Sequence, residues 1–207
     1  MSRGQLFIVS GPSGSGKDTV LSELFAVCPK LELSISSVTR AMRKGEKEGE
    51  KYHFISREAF QAGLEKGEFL EYNEYQDNFY GTPRAPVERC IESGVDMILE
   101  IDVNGAAAVR KIMPEAVSVF IMPPSFAELQ RRLIGRGTED AQTVRGRLNA
   151  ALDEIRQADK YDYIVVNDVL ADAVNELRSI ISGERCRRAR REYLIDEVLG
   201  NVESCNW

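Results

Sequence analysis

Histidine is almost missing from this 207-residue chain, in which His53 stands alone. The four cysteines, Cys28, Cys90, Cys186 and Cys205, are scattered without a C-x-x-C pair. With so few imidazole and thiolate donors, a structural zinc site has no ligand set, and a serine–histidine–aspartate triad has almost nothing to be made from. The same scatter suits reduced, packed thiols better than a disulfide framework. No apolar run approaches the ~20 residues that cross a bilayer as a helix. The first twenty residues show neither a basic leader nor a small-residue cleavage site, so a cytoplasmic protein is expected. Positive charge is also in deficit: 27 Lys and Arg face 33 Asp and Glu, a formal net charge of −6. That field repels nucleic acid and anionic membranes, so any anion site must be a local concentration of donors.

What is present is 43% hydrophobic residues, enough for one substantial core, arranged as short apolar runs alternating with helical periodicity. Strands are expected at Leu6 to Val9, Leu33 to Val38, Met97 to Ile101, Val117 to Ile121 and Tyr163 to Val166. Most are nearly continuous hydrophobic stretches, as in parallel strands covered on both faces. Leu21, Leu24, Phe25 and Cys28 follow the first strand at helical spacing, and further helical stretches begin near Ala85, Gly105, Ser125, Ala141, Leu170 and Glu184. The alternation predicts an α/β layer fold with a parallel core sheet flanked by helices. Two segments break the rhythm. "RAMRKGEKEGEK", from Arg40, precedes the strand-like pieces "YHFI" and "FLEY" and reads as a mixed-sheet insertion. "RRLIGRGTED", from Arg131, places glycines around an arginine and suits a mobile lid.

The stretch "FIVSGPSGSGKDTVL", residues 7–21, satisfies G-x-x-x-x-G-K through Gly11, Gly16 and Lys17. Glycines let successive backbone N–H groups curl into an anion nest, the following helix adds its positive end, and the lysine reaches the outer phosphates. A nucleotide triphosphate therefore belongs on Gly11, Pro12, Ser13, Gly14, Ser15, Gly16, Lys17, Asp18 and Thr19. Asp18 stands where a Ser or Thr hydroxyl normally meets Mg²⁺. It reads two ways, as an Mg²⁺ ligand with Thr19 beside it or as a negative group favourable in a first helical turn. Further on, Arg40 and Arg43 lie near Ser36 and Glu46, with Tyr52, Tyr80 and Thr82 following, and paired arginines with tyrosine hydroxyls can grip a phosphate. Glu100 and Asp102 end a hydrophobic strand, where acids face the ligand crevice of an open α/β sheet.

Together "SGPSGSGK", "SSVTR", "FLEY", "YGT", "ILEIDVNGA", "FIMPPS", "RLIGRGT" and "VVND" resemble guanylate kinase along essentially the whole chain. The resemblance implies a P-loop nucleoside monophosphate kinase fold across 1–207. Its core would comprise 1–33, 95–130 and 150–207, with a GMP-binding insertion at about 34–94 and a small helical lid at about 131–149. It implies ATP and Mg²⁺ as co-substrate and cofactor. Ser36, Arg40, Arg43, Glu46, Tyr52, Glu71, Tyr80, Thr82, Glu100 and Asp102 form the implied GMP set, with Arg40, Arg43, Tyr52 and Tyr80 on its phosphate and Ser36, Glu71, Thr82 and Asp102 on its base. Arg132, Arg136 and Asn167 would reach ATP, and Lys17, Arg43, Arg136 and Arg147 would carry catalysis. Asp102 is also placed on an Mg²⁺-bound water. Glu100 departs from the aspartate usual at its position. Guanine chemistry agrees independently, since its N1–H and 2-amino donors suit a carboxylate such as Glu71 while adenine presents an acceptor at N1. A guanylate-kinase-like protein-binding scaffold and a kinase for another small phosphate, such as ribose 1,5-bisphosphate, are the competing readings. The five arginines from Arg185 to Arg191 read as a solvated terminal helix rather than a nucleic-acid site.

Overall fold

The computed structural model describes residues 3–134 and 141–202. In chain order the elements are β1 (Leu6–Ser10), α1 (Lys17–Val27), β2 (Leu31–Leu33), β3 (Ser36–Val38), β4 (Tyr52–Phe54), α2 (Arg57–Glu65), β5 (Phe69–Tyr75), β6 (Asn78–Pro83), α3 (Arg84–Glu92), β7 (Asp96–Glu100), α4 (Val103–Ile112), β8 (Val117–Met122), α5 (Phe126–Ile134), α6 (Ala141–Ile155), β9 (Tyr163–Val166), α7 (Leu170–Arg185) and α8 (Arg188–Val202). An all-parallel sheet runs β2-β7-β1-β8-β9 and a mixed sheet β4-β3-β6-β5.

β1 is the axis of the larger sheet because every one of its side chains is buried. Phe7 and Val9 pack with Val20, Leu21 and Leu24 of α1 and Leu177 and Ile181 of α7. Leu6 and Ile8 point the other way, into Val87 and Ile91 of α3 and Ala106 and Val109 of α4. Each such side chain contributes about 1.5–3 kcal/mol of transfer free energy, so the strand is anchored from both sides and its C-terminal end is a rigid platform. The smaller sheet has its own apolar centre, in which fully buried Phe60 of α2 stacks on Phe69 at 4.3 Å and on Phe79 at 5.2 Å.

Three expectations change. The single strand expected from Leu33 to Val38 is two strands in different sheets: β2 pairs with β7, and Ser36 to Val38 pairs with β4 and β6. The apolar alternation Leu31, Leu33, Ile35 is broken before Val38, and that change of parity marks where the chain leaves one sheet for the other. The helix expected near Glu184 starts later, as α8 at Arg188, because Glu184 is buried inside the last turn of α7 and accepts from the Tyr163 hydroxyl at 2.5 Å. Helix α2 and strand β6 stand where no element was expected. Ser56 caps α2 by accepting from the Ala59 N–H at 3.1 Å, and β5 turns into β6 through Gln76 and Asp77, both at positive φ, as a tight hairpin requires. Arg136 and its flanking glycines lie outside the described residues.

Candidate active site

The loop from Gly11 to Lys17 joins the C-terminal end of β1 to α1, and its shape follows from glycine at two positions. Gly14 (φ 90°) and Gly16 (φ 83°) hold left-handed backbone, and a Cβ on Gly16 would lie 2.3 Å from Asn167 Nδ2. The back of the loop is braced. The Ser15 carbonyl accepts from Asn167 Nδ2 at 2.8 Å and from the Arg132 guanidinium at 3.2 Å, and Arg132 also donates to the Asn167 carbonyl at 3.0 Å. Those bonds fix the loop in the shape set by its left-handed glycines, the kind of backbone from which an anion nest is made. Arg132 and Asn167 thus touch the loop from behind, while Arg147 of α6 reaches its front and donates to Ser13 Oγ at 2.7 Å.

Lys17 lies against a carboxylate. Its Nζ is 3.0 Å from Glu100 Oε1 and 3.9 Å from Asp18 Oδ1, while Lys51 Nζ lies 3.8 Å from Glu100 Oε2 and 4.0 Å from Asp18 Oδ2. Two cations and two carboxylates thus meet at the mouth of the loop. Burial alone would depress the Lys17 pKa, but the Glu100 charge and hydrogen bond outweigh it and hold the ammonium protonated. The Glu100 carboxyl is pushed up, first by burial and then by its contact with Asp18, against the pull of Lys17.

This loop lines a cavity of about 520 Å³ whose far wall is Ser36, Lys51, Tyr52, Glu100, Asp102 and Glu154. A second cavity, about 320 Å³, shares Ser36, Tyr52, Glu100, Asp102 and Glu154 and extends to Glu71, Asn73 and Tyr80. Glu71 is buried, with Oε1 accepting from Thr82 Oγ1 at 2.5 Å. Burial, aided by the nearby Asp102 charge, raises its pKa even though the Thr82 hydrogen bond opposes the shift. Gly105 in the first turn of α4 makes room for it, since a Cβ there would fall 2.7 Å from Glu71 Oε2. Asp102 caps the same helix, accepting from the Gly105 N–H at 2.8 Å, and its other oxygen accepts from Asn73 Nδ2 at 2.5 Å. The two carboxylates are thereby fixed by different donors on different elements.

Arg40, Arg43 and Glu46 sit beside these cavities rather than in their walls. Glu46 receives both terminal nitrogens of Arg40, at 2.7 and 2.6 Å, and the Arg43 backbone N–H at 2.7 Å. Those donors hold its carboxyl down at about 2. Arg40 is further fixed over the Tyr52 ring, 5.1 Å from its centre. The Arg43 side chain is exposed, as are Asp18 and Thr19, and Thr82 is fully buried behind Glu71.

Lys51, Asn73 and Glu154 were not foreseen as wall residues. Strand periodicity puts Asn73 on the same face of β5 as Glu71, and helical periodicity puts Glu154 two turns beyond Arg147 on one face of α6. Both signals were in the sequence. Lys51 lay within a charged run that gave no such register.

A glycine loop at the end of the central parallel strand, a lysine in the first turn of the helix behind it, and a second polar cavity sharing its wall define a P-loop phosphoryl-transfer protein with two adjoining cradles. The guanylate kinase family model matches residues 3–184. A guanylate kinase of Hahella chejuensis is 49% identical over 204 residues, 99% of this chain and 98% of the relative. One from Halalkalibacterium halodurans is 48% identical over 188 residues, 91% and 92% of the two chains. The crystal structure of guanylate kinase from Anaplasma phagocytophilum superposes with a TM-score of 0.75 at 36% identity, covering 92% of this chain and 90% of that one. The chain belongs to the guanylate kinase family and is a kinase.

Proposed function

We infer that the protein transfers the γ-phosphoryl group of ATP to GMP, giving ADP and GDP. The observation that carries this reading is Glu71, a buried carboxylate held by Thr82 in a cavity that adjoins the phosphate loop. Its Oε2 is left to accept from guanine N1–H and the 2-amino group, whereas adenine would leave it facing a lone pair. A site made to hydrogen-bond its substrate rejects an analogue that leaves its groups unpaired by roughly 10⁴–10⁵. Thr82 acts by holding Glu71, while Asp102, oriented by Asn73, faces the same base together with Ser36.

The GMP phosphate is assigned to Arg40, Arg43, Tyr52 and Tyr80. Glu46 is a positioning residue, because a carboxylate against a phosphate repels it whereas one gripping Arg40 aims the guanidinium. The ATP phosphates occupy the loop from Gly11 to Thr19, with Lys17 moving from Glu100 to the phosphates as they arrive. Arg132 and Asn167 serve ATP indirectly by shaping that loop. The acceptor phosphate oxygen is already ionised, so the reaction needs no strong general base and the shortage of histidine is no obstacle. The protein's work is to hold two anions in line, exclude water and spread charge, and it falls to Lys17, Arg43 and Arg147, with Arg136 beyond the described residues.

Among the described residues no three acidic or imidazole side chains converge into a metal cage. The hard oxygens present, the carboxylates of Asp18, Glu100 and Asp102 and the Thr19 hydroxyl, fit Mg²⁺ entering on the ATP phosphates with most of its waters retained. Asp18 and Thr19 would hold it and Asp102 a bound water; the ion supplies charge neutralisation between the two phosphate groups. In this reading the parallel sheet is the core, residues 34–94 the GMP insertion and 131–149 the lid, working in the cytoplasm. No helix among the described residues is long and apolar enough to cross a membrane. The test is ADP release from ATP and Mg²⁺ with GMP, AMP, UMP or ribose 1,5-bisphosphate as acceptor. Turnover with GMP alone is expected, and an equal rate with any of the others would refute the reading.

A further inference from the structure

The arginine-rich stretch near the C-terminus is largely exposed, and Arg188 pairs with Glu192 along its own helix, but part of the stretch reaches beyond it. Arg190 at the start of α8 donates to Gln5 Oε1 and, at 2.6 Å, to the Arg3 carbonyl, while Arg185 pairs with Asp96. These contacts hold the end of α7 and the start of α8 against the N-terminal ends of β1 and β7, at the opposite end of the sheet from the phosphate loop. Between them lies a cavity of about 510 Å³. Arg3, Lys30, Arg185, Arg190 and Arg191 line it against only two carboxylates, Glu32 and Asp96. Asp96 is already occupied, one oxygen accepting from the Gln5 N–H at 2.6 Å and the other pairing with Arg185.

Among the described residues no carboxylate lies within 4.0 Å of Lys30, Arg190 or Arg191, and the one hydrogen bond of the Arg191 guanidinium goes to the Arg185 carbonyl at 3.1 Å. Such convergence is unexpected in a chain of net charge −6. It also opposes its own helix, because α8 has no acidic residue in its first turn and puts arginines at the positive end of the dipole, where cations are unfavourable. A multiply charged anion would relieve both conflicts. The volume lies in the range of small-ligand sites, and Pro29 and the Tyr193 ring give it an apolar wall.

We propose that this cavity binds a linear oligophosphate, free or as the tail of a nucleotide, at a site separate from the phosphate-transfer centre. The charge balance of the chain as a whole disfavours nucleic acid as the occupant. The test is calorimetric titration of inorganic tripolyphosphate, without divalent ions, into Lys17→Met protein, in which the phosphate loop has lost its lysine. Saturable binding of one equivalent is expected, weakened at least about tenfold by adding Lys30→Ala and Arg191→Ala and weakened again by raised salt. Both added positions are exposed, and an unchanged melting temperature checks that the variant folds. Repeating the titration with GTP separates a free chain, bound equally, from a nucleotide tail, bound more tightly; either supports the site. Absence of saturable heat in Lys17→Met, equal binding by the triple variant, or tighter binding of an RNA decamer than of tripolyphosphate would overturn it.

Discussion

Substituting Gly105 by alanine separates the guanine-facing carboxylate from the stability of the fold. The new Cβ would be built 2.7 Å from Glu71 Oε2 and 3.1 Å from Glu71 Cδ, well inside contact distance. Glu71 cannot swing clear, because it is buried and its other oxygen is tied to Thr82 at 2.5 Å. It must retreat by several tenths of an ångström, which spoils the line from Oε2 to a base while leaving the chain trace alone. A hydrogen bond to a charged group contributes about 1.5–3 kcal/mol, so loss of one corresponds to roughly 10–100-fold in kcat/KM for GMP. In the opposite direction, alanine is favoured over glycine within a helix by about 1 kcal/mol, which offsets the strain in α4. Gly105→Ala is therefore expected to keep its melting temperature within a few degrees while the KM for GMP rises at least tenfold and the KM for ATP stays within about threefold. Initial rates of ADP release at saturating ATP, with thermal melts alongside, provide both readouts. A KM for GMP within twofold of the parent would refute the placement of the base on Glu71.

The same carboxylate makes a pH prediction. A carboxyl whose folded pKa lies above 4.5 favours the fold when protonated and loses that contribution as pH rises through the folded value. Glu71→Gln should therefore raise the melting temperature at pH 7.5, with the gain shrinking toward zero near pH 4, while turnover of GMP falls at least about 100-fold; an equal gain at both pH values would contradict the buried-charge account. Arg147→Met is expected to lower kcat at least about tenfold, a small part of the range an inserted arginine provides in related chemistry, and unchanged turnover removes Arg147 from the mechanism. Glu46→Gln should raise the KM for GMP several-fold without altering that for ATP, by loosening Arg40; Glu46→Asp recovering most of that loss would support positioning, and no change in either variant would reject it. Asp18→Ser tests the metal assignment: the Mg²⁺ concentration giving half-maximal rate should shift, and an unshifted curve would return Asp18 to its role in the helix turn.

The larger sheet was readable because strands buried on both faces must be nearly continuously apolar, and Leu6 to Val9 and Val119 to Met122 carry no polar residue. The phosphate loop was readable because left-handed backbone at Gly14 and Gly16 demands glycine. The second cavity was less so. Asn73 shares its strand face with Glu71, yet its partner Asp102 is distant in sequence and only the packing of α4 against β5 brings them together. Arg132 and Asn167 were expected at the nucleotide, but their hydrogen bonds to and around Ser15 depend on a three-dimensional crossing that composition does not encode. The switch between sheets after Leu33 turns on a single change of parity within a stretch that otherwise reads as one alternating strand.

That switch has a mechanical corollary. The Ser34 N–H is still bonded to the Ile98 carbonyl at 2.9 Å, whereas Ser36 already accepts the geometry of the smaller sheet, opposite Tyr52. At this crossing the smaller sheet is tethered to the larger by little more than one peptide unit around Ile35. Any swing of that sheet over a nucleotide is concentrated here in a few torsions, so the pivot lies next to a wall of the very space being closed, and a small rotation is delivered at Ser36 with almost no slack.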